Sequence, residues 1–134
     1  MTPWHPAACL LLVMLLTGCA FDVSYVNQTP AAFTMATGAT NDDFVLQESV
    51  DVRLGTGFPT HLKAGTRWHR VGQTQYGTVY STKDQIVQVE ASNIYEAQLV
   101  MSNQTVQGFY LLVEKTFAPA SNPVRVTIHP INNQ

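Results

Sequence analysis

Ile94-Tyr95-Glu96-Ala97-Gln98-Leu99-Val100-Met101, then Ser102-Asn103-Gln104-Thr105, then Val106-Gln107-Gly108-Phe109-Tyr110-Leu111-Leu112-Val113-Glu114, is the stretch whose reading decides the fold. Two apolar runs flank four polar residues, which is the composition of a β-hairpin closed by a four-residue loop. The second run is apolar on both faces except at Gln107. A strand with no polar face is a central strand covered twice.

Working outward toward the C-terminus, Pro119 and Pro123 bracket a loop. Val124, Val126 and Ile128 then alternate with Arg125, Thr127 and His129 in a last strand. Toward the N-terminus, Ile86 to Ala91 alternates, with Val87, Val89 and Ala91 on one side. Further back, Phe44, Leu46, Val50, Val52 and Leu54 share one face, Glu48 excepted, and Gln47, Asp51 and Arg53 fall on the other. Three tetrads, Gly55-Thr56-Gly57-Phe58, Gly65-Thr66-Arg67-Trp68 and Gly77-Thr78-Val79-Tyr80, each place an aromatic three residues after a glycine. They read as a turn followed by a strand. No window sustains an apolar period of 3.6 with caps, so long helices are not expected. The reading is all-β: a small antiparallel barrel or sandwich of about six strands, an SH3-like barrel being one candidate architecture.

Phe21 to Asp43 reads as tether, being rich in Ala, Thr and Asn, with Pro30 and Gly38 and no sustained period. Its first six residues, Phe21 to Val26, alternate, so either tether or an added strand fits them. The β-rich domain is expected to run from 44 to 134.

Before the tether stands Ala7 to Leu16, a run without charge that is too short to cross a bilayer as a helix, which takes about 20 residues. It ends in Leu16-Thr17-Gly18-Cys19. Apolar residues, then small ones, then cysteine resemble the lipobox of bacterial lipoprotein signal peptides. Met1 to Pro6 holds no Lys or Arg, so the α-amino group and His5 supply the positive end. The resemblance implies a signal peptide over 1–18 and a lipidated N-terminus at 19, continuous with the tether to 43. Cys19 would carry a diacylglycerol and, on its amine, a palmitate-type acyl chain. Two or three chains anchor stably where one binds marginally. Ala20, standing where an Asp would retain such a protein at the inner membrane, implies the outer membrane of the cell envelope.

Cys9 leaves with the leader and Cys19 is taken by lipid, so the domain has no disulfide and no thiolate ligand. The formal charge of −2 argues against a general nucleic-acid binder. Asp42, Asp43, Glu48 and Asp51 crowd one stretch, and Arg53, Lys63, Arg67, Arg70 and Lys83 lie in one with no acid from Val52 to Lys83. Complementary neighbouring strands account for this pattern; a patch for an anionic polymer is the alternative.

No serine sits in Gly-x-Ser-x-Gly, and no His-Glu-x-x-His, P-loop or dinucleotide fingerprint is present. His61 and His69 would lie roughly 26 Å apart on one straight strand, so no metal site is expected. Glu48 and Asp51 would face opposite ways on a strand, while Glu90 and Glu96 could meet across a turn. No catalytic residue is nominated and no cofactor is expected beyond the covalent lipid. The candidate binding surface is aromatic and basic: Arg67, Trp68, His69 and Arg70, with Tyr76 and Tyr80. The competing reading makes Trp68 a core anchor, with Arg67 and His69 on the outer face. The expected role is a binding or accessory assembly subunit of an envelope complex, held by the membrane beside a protein partner. The alternatives are a module for wall glycan or another anionic polymer, and a small envelope hydrolase or inhibitor.

Overall fold

The computed structural model describes residues 25–38 and 41–132; the leader, Cys19 and residues 21–24 of the alternating Phe21–Val26 stretch lie outside the described residues. The architecture is all-β and antiparallel, and among the described residues there is no helix. In chain order the strands are β1 (Thr29–Pro30), β2 (Thr34–Met35), β3 (Phe44–Leu46), β4 (Val50–Val52), β5 (Thr60–Leu62) and β6 (Arg67–Thr74). They continue with β7 (Gly77–Thr82), β8 (Gln88–Glu90), β9 (Ile94–Ser102), β10 (Thr105–Leu111), β11 (Thr116–Arg125) and β12 (Ile128–Pro130). Among the described residues the count is twelve, where about six were expected. Two expected strands, Phe44 to Leu54 and Val124 to His129, are divided into pieces that pair with different partners.

The large sheet runs β1-β11-β10-β9-β7-β6-β3-β12, with β2 on β6 and β8 on β9; β4 and β5 form a separate pair. Its centre is the hairpin read from the sequence. The turn is tighter than the expected four residues: Asn103 and Gln104, at φ 51° and 56°, make a two-residue loop. Both in the left-handed region is the type I′ pattern, whose twist matches that of the flanking strands.

The two faces of β10 are both covered. Val106, Phe109 and Leu111 enter the main core with Leu46, Leu62 and Trp68, while Tyr110 joins a second cluster with Val79, Val100 and Phe117. Phe44, Leu46, Val52 and Leu54 are buried on the main side and Val50 packs against it, as the shared face predicts. Val87 and Val89 follow, with Ala91 beside them. The β4–β5 pair contributes Val52 and Leu62 to this core, and the result is a small sandwich.

The strand through Pro119 and Pro123 corrects the expected loop. Residue Val106 pairs with Val124 and Gly108 with Pro119, so residues 120–123 leave the β10 ladder as a bulge. Ala120 bridges Leu54 there, and the Ser121 N–H donates to the Arg53 carbonyl at 2.8 Å. Proline lacks a ladder donor and is tolerated where none is needed. Gly108 sits at the step with φ 155°, and a Cβ there would run into the carbonyl oxygen of Ala118. Only glycine suits that position.

Residues 25–38 correct the expected tether. Val26 is buried in the main core, Thr29–Pro30 pair with β11, and Thr34–Met35 pair with β6. If flat, the strands from β1 to β2 would hold these edges roughly 29 Å apart at about 4.8 Å per step. The four residue steps from Pro30 to Thr34 reach at most about 14 Å. The sheet is therefore coiled around this segment, which straps its second face. It stops short of a closed barrel, because β1 and β2 do not pair with each other. The Phe33 ring stacks on Tyr110 at 5.1 Å and lies where a Cβ on Gly72 would stand. A glycine at 72 is what lets the strap come so close.

Candidate functional site

Strand β6 carries four of the six residues nominated for the binding surface, and its pleat separates them. Arg67 is exposed and Trp68 is completely buried. The Trp68 indole N–H donates to the Thr66 hydroxyl at 2.8 Å, and that hydroxyl donates to the Lys63 carbonyl at 2.7 Å. Its ring stacks near Phe44, with 6.4 Å between centroids. Trp68 is thus a core anchor with its one polar atom satisfied, and it leaves the surface set. The tetrad around it reads correctly as a turn at Ala64-Gly65 and a strand from Arg67; the one ending at Tyr80 opens β7. The tetrad ending at Phe58 does not, since Phe58 is outside any strand and 68% exposed.

His69 and Arg70 are half-buried and face acids from the preceding segment. His69 Nδ1 lies 2.7 Å from Asp43 Oδ2, and Arg70 Nη1 donates to Asp42 Oδ2 at 2.7 Å. A third pair joins His61 Nδ1 to Asp51 Oδ1 at 2.7 Å across β4 and β5. Of the crowded acids, Asp42 thus meets one cation of the basic stretch, Arg70, while Asp43 and Asp51 meet histidines of the same stretch. Asp43 is largely covered, whereas the other two aspartates are half-exposed or more.

Tyr80 stands opposite Arg70 in the β6–β7 ladder and meets Phe44 edge-on at 5.0 Å. Burial pushes its hydroxyl pKa above 10.0; Asp42 and Asp43 add to this, and Arg70 opposes them. Tyr76 belongs to the strapped face: its ring stacks on Phe117 at 4.2 Å and its hydroxyl reaches Thr29 Oγ1 at 3.1 Å. The nominated residues thus divide among core, strap and two different surfaces.

The exposed cations without an ion-pair partner among the described residues include Lys63, Arg67 and Lys83. The turn after β7 gathers them. The Arg67 N–H donates to the Asp84 carboxylate at 2.7 Å, and the Lys63 N–H donates to the Gln85 side chain at 2.8 Å. The histidines do not converge, since His61 and His69 are held by different aspartates. Glu90 and Glu96 are not opposite each other in the ladder: Glu90 faces Ile94 and Glu96 faces Gln88. Among the described residues no three His, Cys, Asp or Glu side chains form a group able to hold a metal ion.

The site that sequence reading missed is a groove of about 540 Å3 beside the strap, floored by Phe33, Val71, Tyr110 and Leu112, with Met35 and Arg70 at its rim. Met35 is 73% exposed. Alongside runs β2, which among the described residues pairs only with β6 and so presents an open edge. The apolar residues of the strap, Phe33 and Met35, were the available signal, but they follow no period. No protein-family model, no curated protein and no solved structure matches this chain.

Proposed function

We propose that this protein is an outer-membrane lipoprotein, anchored through Cys19, whose β-domain is a binding or accessory assembly subunit of a cell-envelope complex. The observation that carries this reading is the open groove beside β2. It combines an apolar floor, the half-buried Arg70 and a strand edge that pairs with no second strand among the described residues. That combination suits an extended, apolar segment of a partner protein, taken up by strand addition along β2 with side chains in the groove. The lipobox-like leader supplies the anchor. Holding the domain on the membrane raises the effective concentration of a membrane-bound partner, so a modest groove suffices.

Crosslinking of the tagged full-length protein in cells, followed by capture and mass spectrometry, tests the reading. One envelope protein should be captured reproducibly by the unaltered chain. It should be lost with Cys19→Ala and reduced with Met35→Asp, which places a charge at the exposed rim of the groove. Undiminished capture by both variants counts against the anchor and the groove together.

A second reading rests on the cations around Asp84. Lys63, Arg67 and Lys83 are exposed and close in the fold, as recognition of an anionic envelope polymer requires. It predicts salt-sensitive pelleting with isolated wall that Arg67→Glu abolishes. Arg70 is not the residue to reverse, because its charge is already matched by Asp42.

A further inference from the structure

Three of the six exposed large apolar side chains among the described residues, Tyr25 (71%), Phe58 (68%) and Ile94 (65%), lie near the first described residue of the chain. Hydrogen bonds and strand pairing hold their backbones near one another. The Thr56 hydroxyl donates to the Tyr25 carbonyl, the Phe58 N–H donates to the Glu90 carbonyl at 2.9 Å, and Glu90 stands opposite Ile94 in the β8–β9 ladder. Six residue steps separate Cys19 from Tyr25, a span of at most about 22 Å. Whatever holds Cys19 in a bilayer therefore keeps this end of the domain within about 22 Å of it.

We infer that this end is a membrane-apposed face, with Tyr25, Phe58 and Ile94 seated at the boundary between lipid headgroups and acyl chains. The inference rests on the lipoprotein reading above and deepens it. Aromatic rings belong at that depth, where an apolar body and a wet edge are both accommodated. The carboxylate of Glu90, exposed on the same hairpin, keeps the contact shallow. The lipid anchor limits the distance of the domain from the membrane, and these side chains fix which end points toward it.

The test uses full-length, membrane-extracted protein returned to vesicles of phosphatidylethanolamine and phosphatidylglycerol carrying brominated acyl chains. Tryptophan reporters are placed by Phe58→Trp and, separately, by Ser102→Trp. Ser102 is exposed at the far end of β9, about 27 Å along the strand from Ile94. Trp68, fully buried, gives a background that the unaltered protein measures. Intact mass of the same samples reports acylation of Cys19. Quenching several-fold stronger at Phe58→Trp than at Ser102→Trp, repeated with Ile94→Trp, is the expected result. Equal or absent quenching on acylated protein overturns the apposed face while leaving the lipoprotein reading in place. An unmodified Cys19 overturns both.

Discussion

The two faces of the large sheet are closed in different ways. On the main face, strands with a clear period of two, among them β3, β4 and β8, converge with the doubly covered β10 on Trp68, Phe44 and Phe109. On the other, Val79, Val100, Tyr110 and Phe117 are covered by residues 31–33, a strap with no period and almost no secondary structure. The first face is closed by many elements that each bury a full stripe. The second is closed by few side chains, chiefly the Phe33 ring lodged between Gly72 and Tyr110 and the Tyr76 ring on Phe117. The main face should therefore set global stability, and the strap should be able to lift alone.

The largest expected effect follows from Trp68. Replacing it with Ala removes a fully buried side chain and leaves Thr66 without the indole donor, at a cost of about 3–5 kcal/mol. Urea unfolding should show the midpoint falling sharply, or cooperative folding lost. Phe33→Ala, on a half-buried ring, should cost about 1–2 kcal/mol. Its signature is local: the Ala36 amide, bonded to the Val71 carbonyl at 2.9 Å, should exchange much faster while amides of β9 and β10 keep their protection. If both substitutions lower global protection alike, the strap is part of the main cooperative unit and the contrast between the faces disappears.

How far the sequence could be read follows the same divide. Burial of Leu46, Val52 and Val89 was legible because alternate residues on a strand must choose a face. The double covering read for Val106 to Val113 holds as far as Leu111, where β10 ends, and fails at the exposed Val113; what covered the second face was not legible. Segment 25–38 makes few ladder bonds and buries scattered side chains, so pattern reading assigns it to tether. The bulge at 120–123 is hidden for a related reason: Pro119 and Pro123 signal a break, and only the pairing of Gly108 shows that the strand continues past it. The nominated surface took consecutive residues of β6 together, whereas burial follows the competing reading of Trp68 as a core anchor. Trp68 and Arg67 are neighbours in sequence and therefore point apart. The groove was illegible because it is built from β6, β10 and the strap, which meet only after the sheet coils.

The ion pairs beside β6 offer a smaller effect. Arg70 and Asp42 are both partly exposed, and a pair of that kind is worth about 0–1 kcal/mol. Asp42→Asn should thus leave the urea midpoint nearly unchanged. Asp43→Ala should do more, about 1–3 kcal/mol, since it strips His69 of a partner at a largely covered site. Equal effects would mean that the cover over Asp43 contributes nothing.

The smallest effect is confined to alkaline solution, and it probes the edge of the main face. Burial raises the Tyr80 hydroxyl pKa above its ordinary 10.0, while the unfolded chain keeps the ordinary value. Above pH 10 the unfolded state therefore binds fewer protons at this residue than the folded state does. Stability falls as pH rises wherever that holds, so the contribution is complete below about pH 10 and is lost as pH climbs through the folded value. Tyr80→Phe removes the ionisable group and keeps the ring against Phe44. Urea midpoints measured from pH 8 to pH 11 should decline less steeply for this variant than for the unaltered protein. Parallel declines would mean that Tyr80 opens to solvent, with Asp42 and Asp43, before the main face gives way.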